Sequence, residues 1–201
     1  WSPVQETSVA PTLDWSGESG FTADGANPDS GPSGSSYAFL VKYADLNNEG
    51  PVAPGYINLL IDADNDGVAD ATYSLEGIED GDVNYLNEKI YAKTLTLTKT
   101  GSSSIGYKFA ARDETGLDAT GQPTNWSTVT LLNNAPVLAW TDEEDYESDG
   151  FNPDRGANGS DFTFRVLYSD ADGECPDTDG VDVVVDGTSY ELTQNDGASC
   201  A

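Results

Sequence analysis

The chain has 201 residues and sets 36 Asp and Glu against 8 Lys and Arg, a formal charge of −28, with no His and no Met. Such a surface repels nucleic acid and anionic lipid, which need a basic patch to displace counterions. The missing His removes the usual general base and any Ser-His-Asp or Cys-His nucleophilic centre, so no enzyme is expected.

Helix signals are almost absent, and short alternating runs bounded by Gly, Pro, Asn and Asp recur along the chain. Residues 1–10 are expected to be the last strand of a preceding repeat or a donor strand, because Trp1-Ser2-x-Val4 returns as Trp126-Ser127-x-Val129. With no Met anywhere, the sequence is expected to be processed, truncated or excerpted. Residues 11–132 read as one complete unit. A first strand is predicted near residues 12–15, and residues 31–36, rich in Gly and Ser, as a long loop end suited to partners. Over residues 37–43, Tyr37, Phe39, Val41 and Tyr43 alternate onto one face, opposite Lys42. Residues 57–61 and 71–75 read as a hairpin around an Asp-rich loop, and residues 90–98 as an alternating strand. Ile105, Tyr107, Phe109 and Ala111 make the next inward row, and residues 126–132 close the unit. Residues 133–136, Asn-Asn-Ala-Pro, form a short linker that should hold neighbouring units at a fixed angle. Residues 137–201 read as the first half of a second, incomplete unit, with a tight hairpin at Val181–Val185 and Thr188–Leu192 turned by Asp186-Gly187.

The two units align at a constant offset of 125. Asp24-Gly25-x-Asn27-Pro28-Asp29 returns as Asp149-Gly150-x-Asn152-Pro153-Asp154, and Pro11, Leu13 and Trp15 return as Pro136, Leu138 and Trp140. Tyr37-x-Phe39-x-Val41-x-Tyr43-x-Asp45 returns as Phe162-x-Phe164-x-Val166-x-Tyr168-x-Asp170. Trp15 and Trp140 are expected to be core or inter-repeat packing residues. The fold class predicted is all-β: tandem immunoglobulin-like antiparallel β-sandwich repeats of about 125 residues.

The stretch Tyr107-Lys108-Phe109-Ala110-Ala111-Arg112-Asp113-Glu114-Thr115-Gly116 resembles a late strand of bacterial immunoglobulin-like repeats. With Pro-x-Leu-x-Trp and Phe-x-Val-x-Tyr-x-Asp, the chain looks like the tandem immunoglobulin-like (cadherin/fibronectin-III-like) repeats of large secreted bacterial or archaeal surface proteins. The resemblance implies an extracellular or cell-surface stalk, adhesin or filament wall. Its partners would be copies of itself or neighbouring repeats.

The loop Asp62-Ala63-Asp64-Asn65-Asp66-Gly67-Val68-Ala69-Asp70 carries acids at positions 1, 3, 5 and 9 and Gly at 6, a spacing that converges on one hard cation. It resembles the Ca²⁺ loops of EF-hands, dockerins and thrombospondin type 3 repeats, although Tyr73 stands where those families place a bidentate acid. A second candidate cluster, Asp45-x-Asn47-x-Glu49, returns as Asp170-x-Asp172-x-Glu174. The alternative for the first is a solvated acidic hairpin loop, over which four acids at ligand spacing favour calcium, whereas the second cluster equally suits ordinary turns whose Asp and Asn bond their own backbone. Cys175 and Cys200 are candidates for a disulfide closing a loop of about 25 residues, worth roughly 3 kcal/mol. Asn125 and Asn158 each begin an Asn-x-Ser triplet that fits the N-glycosylation pattern. The function expected is a structural module of a filament, stalk or surface layer, stiffened by Ca²⁺. The alternative is an adhesin or module binding a glycan or receptor, alone or appended to a secreted enzyme. No run reaches the ~18 apolar residues of a membrane-spanning helix.

Overall fold

The structure, a computed structural model, describes residues 7–52, 57–78, 81, 83–99, 103–177 and 180–194. The chain divides into two compact units, Trp1–Leu132 and Asn133–Ala201, each described by itself. In the first lie β1 (Thr12–Asp14), β2 (Ala26–Asn27), β3 (Ser30–Pro32), β4 (Ser36–Ala44), β5 (Ile57–Asp62), β6 (Ala71–Ser74), β7 (Glu76–Gly77), β8 (Lys89–Thr96), β9 (Ser103–Ala111) and β10 (Ser127–Leu132). One sheet runs β1-β4-β8-β7, with β2 also on β4; the other runs β3-β10-β9-β5-β6. The ladders are antiparallel apart from β3 with β10, which is parallel.

Period-2 alternation builds the core. Tyr37, Phe39, Val41 and Tyr43 of β4 are fully buried, as expected of the face they share. Ile105, Tyr107, Phe109 and Ala111 of β9 answer from the other sheet, and Val129 and Leu131 of β10 join them. Phe39 meets Tyr107 edge to face at 5.0 Å, a favoured geometry for two quadrupoles. Each large side chain so buried contributes about 1.5–3 kcal/mol. Two sheets, antiparallel but for the β3–β10 pair, that pool their side chains in one core are compatible with a β-sandwich.

Two glycines permit close approaches. Gly25, at φ +74°, lies so near β4 that a Cβ would stand 2.5 Å from the Leu40 carbonyl oxygen, with the Trp15 ring alongside. At Gly121, φ +119°, a Cβ would fall 2.0 Å from the Leu13 carbonyl oxygen. Trp15 itself is partly buried and meets Phe109 edge-on at 6.4 Å, the packing role expected of it.

The loop expected over residues 31–36 is shorter than that, a turn at residues 33–35 with strand on either side. Ser30–Pro32 is strand β3, aligned beside β10 with Leu131 opposite Gly31. The Tyr37 hydroxyl donates to the Gly31 carbonyl at 3.0 Å, and the Thr130 N–H donates to the Asp29 carbonyl at 2.9 Å. Ser-Gly-Pro shows no alternation, so its pairing comes from the partner strand.

The second unit holds β11 (Val137–Ala139), β12 (Phe151–Asn152), β13 (Thr163–Phe164), β14 (Leu167–Ser169), β15 (Val181–Val185) and β16 (Thr188–Leu192). These pair as β11-β14, β12-β13 and β15-β16, the last being the predicted hairpin, with Asp186 and Gly187 both at positive φ. Several pairings repeat those of the first unit at the same 125-residue displacement. Leu13 opposes Tyr43, and Leu138 opposes Tyr168. Ala26 opposes Phe39, and Phe151 opposes Phe164. The Leu40 N–H donates to Gly25 at 2.8 Å, and the Arg165 N–H donates to Gly150 at 2.7 Å. The run expected to continue through residues 162–168 is instead two strands, β13 and β14. Along β4 the β8 ladder spans residues 36–43, and among the described residues no strand of the second unit takes the place of β8 beside the corresponding run. Trp140, expected to pack, is 52% exposed, and Leu138 is 56% exposed where Leu13 is 2%. Among the described residues, no helix is long and apolar enough to cross a membrane.

Candidate cation-binding loops

β4 ends at Ala44 and β9 at Ala111, and each strand hands over almost at once to an acid, Asp45 or Asp113. Asp45 is 2% exposed and Asp113 is 0% exposed. Each side chain closes its own turn. Asp45 Oδ1 accepts the N–H groups of Asn47 and Glu49 at 2.7 and 3.0 Å. Asp113 Oδ1 accepts the Thr115 N–H, the Thr115 hydroxyl and the Leu117 N–H at 2.9, 2.8 and 2.9 Å. The second oxygen of each, Oδ2, is buried and accepts nothing.

The two turns converge. One carboxylate oxygen from each of Asp45, Glu49 and Asp113 lies within 4.8 Å of the others. At an effective dielectric near 20, two like charges about 4 Å apart repel by roughly 4 kcal/mol. The neighbours register this negative field. Burial first, then the charges of Asp45 and Asp113, push the Tyr43 phenol above its ordinary value. Burial alone would raise the Asp113 carboxyl, but the donors on Leu117, Thr115 and Gly116 outweigh it and hold it below the usual carboxylate range. The segment before β1 joins the site. The Ser8 hydroxyl donates to Glu49 Oε2 at 2.6 Å and sits 2.9 Å from Thr115 Oγ1. Asn47, a predicted ligand, has its Oδ1 engaged by the Val9 N–H at 2.7 Å.

The second unit repeats this pattern in Asp170, Asp172 and Glu174, which also bring one oxygen each within 4.8 Å. Asp170 Oδ1 accepts the N–H groups of Asp172 and Glu174 at 2.8 and 3.3 Å, and its Oδ2 accepts nothing. The Asn134 N–H donates to Asp172 Oδ2 at 2.6 Å, as the Val9 N–H does to Asn47.

The hairpin loop between β5 and β6 brings Asp62, Asp64 and Asp70 together in the same way. Its acids are engaged by its own backbone. Asp62 accepts from the Asp66 and Gly67 N–H groups on its two oxygens, Asp66 accepts from Val68, and Asp70 accepts from Ala63. Gly67 takes φ +88°, the sharp turn expected at that position, and Asn65 Nδ2 donates to the Ser104 carbonyl at 2.7 Å, leaning the loop on β9. Tyr73, in the position of the missing acid, lies exposed on β6 opposite Leu59.

Asp113 is the ligand candidate that sequence reasoning missed. It lies far from Asp45 in the chain, so no spacing links them, and its Ala-x-Asp context reads as a strand signature alone. Asn125 and Asn158 are both exposed, the latter in a turn. Cys175 is exposed, and its proposed partner Cys200 lies outside the described residues. Among the described residues, three clusters of acids that could hold a metal ion thus stand at loop ends, and all their donors are oxygens. No protein-family model matches the chain, and no curated protein matches it.

Proposed function

We propose that this chain is an extracellular structural module, a stretch of tandem immunoglobulin-like sandwich repeats of about 125 residues within a filament, stalk or surface layer, stiffened by Ca²⁺. One observation carries the reading. The strand registers Leu13–Tyr43 and Ala26–Phe39 return as Leu138–Tyr168 and Phe151–Phe164 at the displacement that aligns the sequence. A chain that repeats the strand pairings of one unit in the next, joined by the short residues 133–136, is suited to spanning distance. All-oxygen acidic clusters favour hard cations such as Ca²⁺, which is abundant outside cells. Calcium would neutralise carboxylates that otherwise repel one another on a chain of charge −28.

The exposed aromatics of the second unit do not favour the glycan-binding alternative. Trp140 and Phe162 occupy positions whose counterparts, Trp15 and Tyr37, pack inside the first unit. Small-angle X-ray scattering of the full chain tests the stiffening. In millimolar Ca²⁺ the particle should be less flexible than in EDTA, and superimposable curves would overturn that part of the reading.

A further inference from the structure

We propose that Asp45, Glu49 and Asp113 form a site for one Ca²⁺ ion, which clamps the turn after β4 to the turn after β9. The proposal deepens the calcium reading above by giving the ion a place, and it rests on that reading only for its purpose.

The bare oxygens come first. Asp45 and Asp113 are almost wholly buried, yet Oδ2 of each lacks any hydrogen bond. A buried carboxylate oxygen is ordinarily satisfied, because removing it from water without a partner is costly. Two such oxygens at one convergence of three acids mark a place for positive charge. The spacing fits as well. Ligand oxygens at about 2.3–2.6 Å from a shared Ca²⁺ lie no more than about 5 Å apart, and these lie within 4.8 Å. The set holds no nitrogen or sulfur donor, which suits a hard cation and not zinc or copper. Mg²⁺ demands a tighter octahedron and keeps most of its waters, so three carboxylates on two separate turns suit the larger ion better.

Recurrence supplies independent support. Asp170 uses Oδ1 on the same two loop N–H groups as Asp45 and likewise leaves Oδ2 bare beside Asp172 and Glu174. The hairpin loop is different: both oxygens of Asp62 accept backbone N–H groups, and none of that loop's described carboxylate oxygens is both buried and without a partner.

The turns are also preset. Backbone donors already fix Oδ1 of Asp45 and of Asp113, so an ion has only to fill the place where the three acids converge. Ser8 bridges Glu49 and Thr115, so an ion bound here also secures the segment that precedes β1.

The test is calorimetric titration of the full chain with CaCl₂ after removal of bound metal with EDTA, on wild type and Asp113→Asn. Asparagine keeps a carbonyl oxygen for the Thr115 and Leu117 N–H groups but removes the charge. The substitution should delete one equivalent of bound Ca²⁺, or weaken it on the order of 100-fold. It should also abolish that site's share of the Ca²⁺-driven rise in melting temperature, read for each protein as the difference between its own melts in Ca²⁺ and in EDTA, so that the loss of the carboxylate's own hydrogen bonds cancels. Glu49→Gln, at the less buried ligand, gives the same readout should the first variant fail to fold. A wild-type chain that binds no Ca²⁺ at millimolar concentration, or a folded variant with an unaltered isotherm, would overturn the proposal. Stoichiometric binding here with unchanged scattering curves supports the site and overturns only the stiffening.

Discussion

Asp24 and Asp113 show how one residue type can carry opposite consequences. Burial raises the Asp24 carboxyl, and the nearby charge of Asp29 adds to this against the Ala26 N–H that bonds it. A carboxyl raised on folding binds its proton better in the folded state, so its contribution to stability falls as pH rises above the unfolded value of about 3.9. Asp24→Asn should therefore melt higher than wild type at pH 7, with the gap closing in acid; equal melting temperatures at pH 7 would refute this. Asp113 has the reverse sign. Its carboxyl is held below the ordinary value, so its stabilisation is present above about pH 4 and lost as pH falls through the lower folded value. Asp113→Asn should flatten that acid limb, as a melting series from pH 5 to pH 2 would show. Asp45 and Asp170 were legible in the sequence because alternate acids follow an alternating strand. The bare Oδ2 atoms were not, since only the folded turns decide which oxygen the backbone occupies.

At the level of elements, alternation was the dependable signal. β4, β9 and the β15–β16 hairpin fall where hydrophobic period and turn residues place them. β2, β3 and β7 carry two or three residues each, too few for any period, and only their partners define them. Glycines set the tolerances between elements. Gly121→Ala should cost roughly 3 kcal/mol or more, because both its positive φ and the Leu13 carbonyl oppose a Cβ. Gly17→Ala, also at positive φ but with nothing within 4 Å, should cost only about 1–2 kcal/mol. Urea unfolding of the pair separates steric conflict from backbone preference. In the β5–β6 hairpin, Asp64→Ala with Asp66→Ala should lower the melting temperature in Ca²⁺ and change little in EDTA. Equal loss in both buffers would make the loop a self-bonded turn and nothing more.

For the molecule as a whole, charge governs the response to its surroundings. A formal charge of −28 presses outward, and screening contracts from about 30 Å at 0.01 M salt to about 3 Å at 1 M. In EDTA the melting temperature should therefore climb steadily with NaCl across that range, and a flat series would show that the repulsion is already relieved. Composition made this legible at once, whereas the separation of bare from self-bonded acids required the fold. The parallel pairing of β3 with β10 has a mechanical consequence for any chain put under tension at its two ends. β3 lies near the start of its unit and β10 at its end, and they run side by side in one direction, with Thr130, Leu131 and Leu132 opposite Ser30, Gly31 and Pro32. A pull on the two ends of the unit slides these strands lengthwise past each other. Their hydrogen bonds then bear the load together in shear, instead of opening one at a time like a zip.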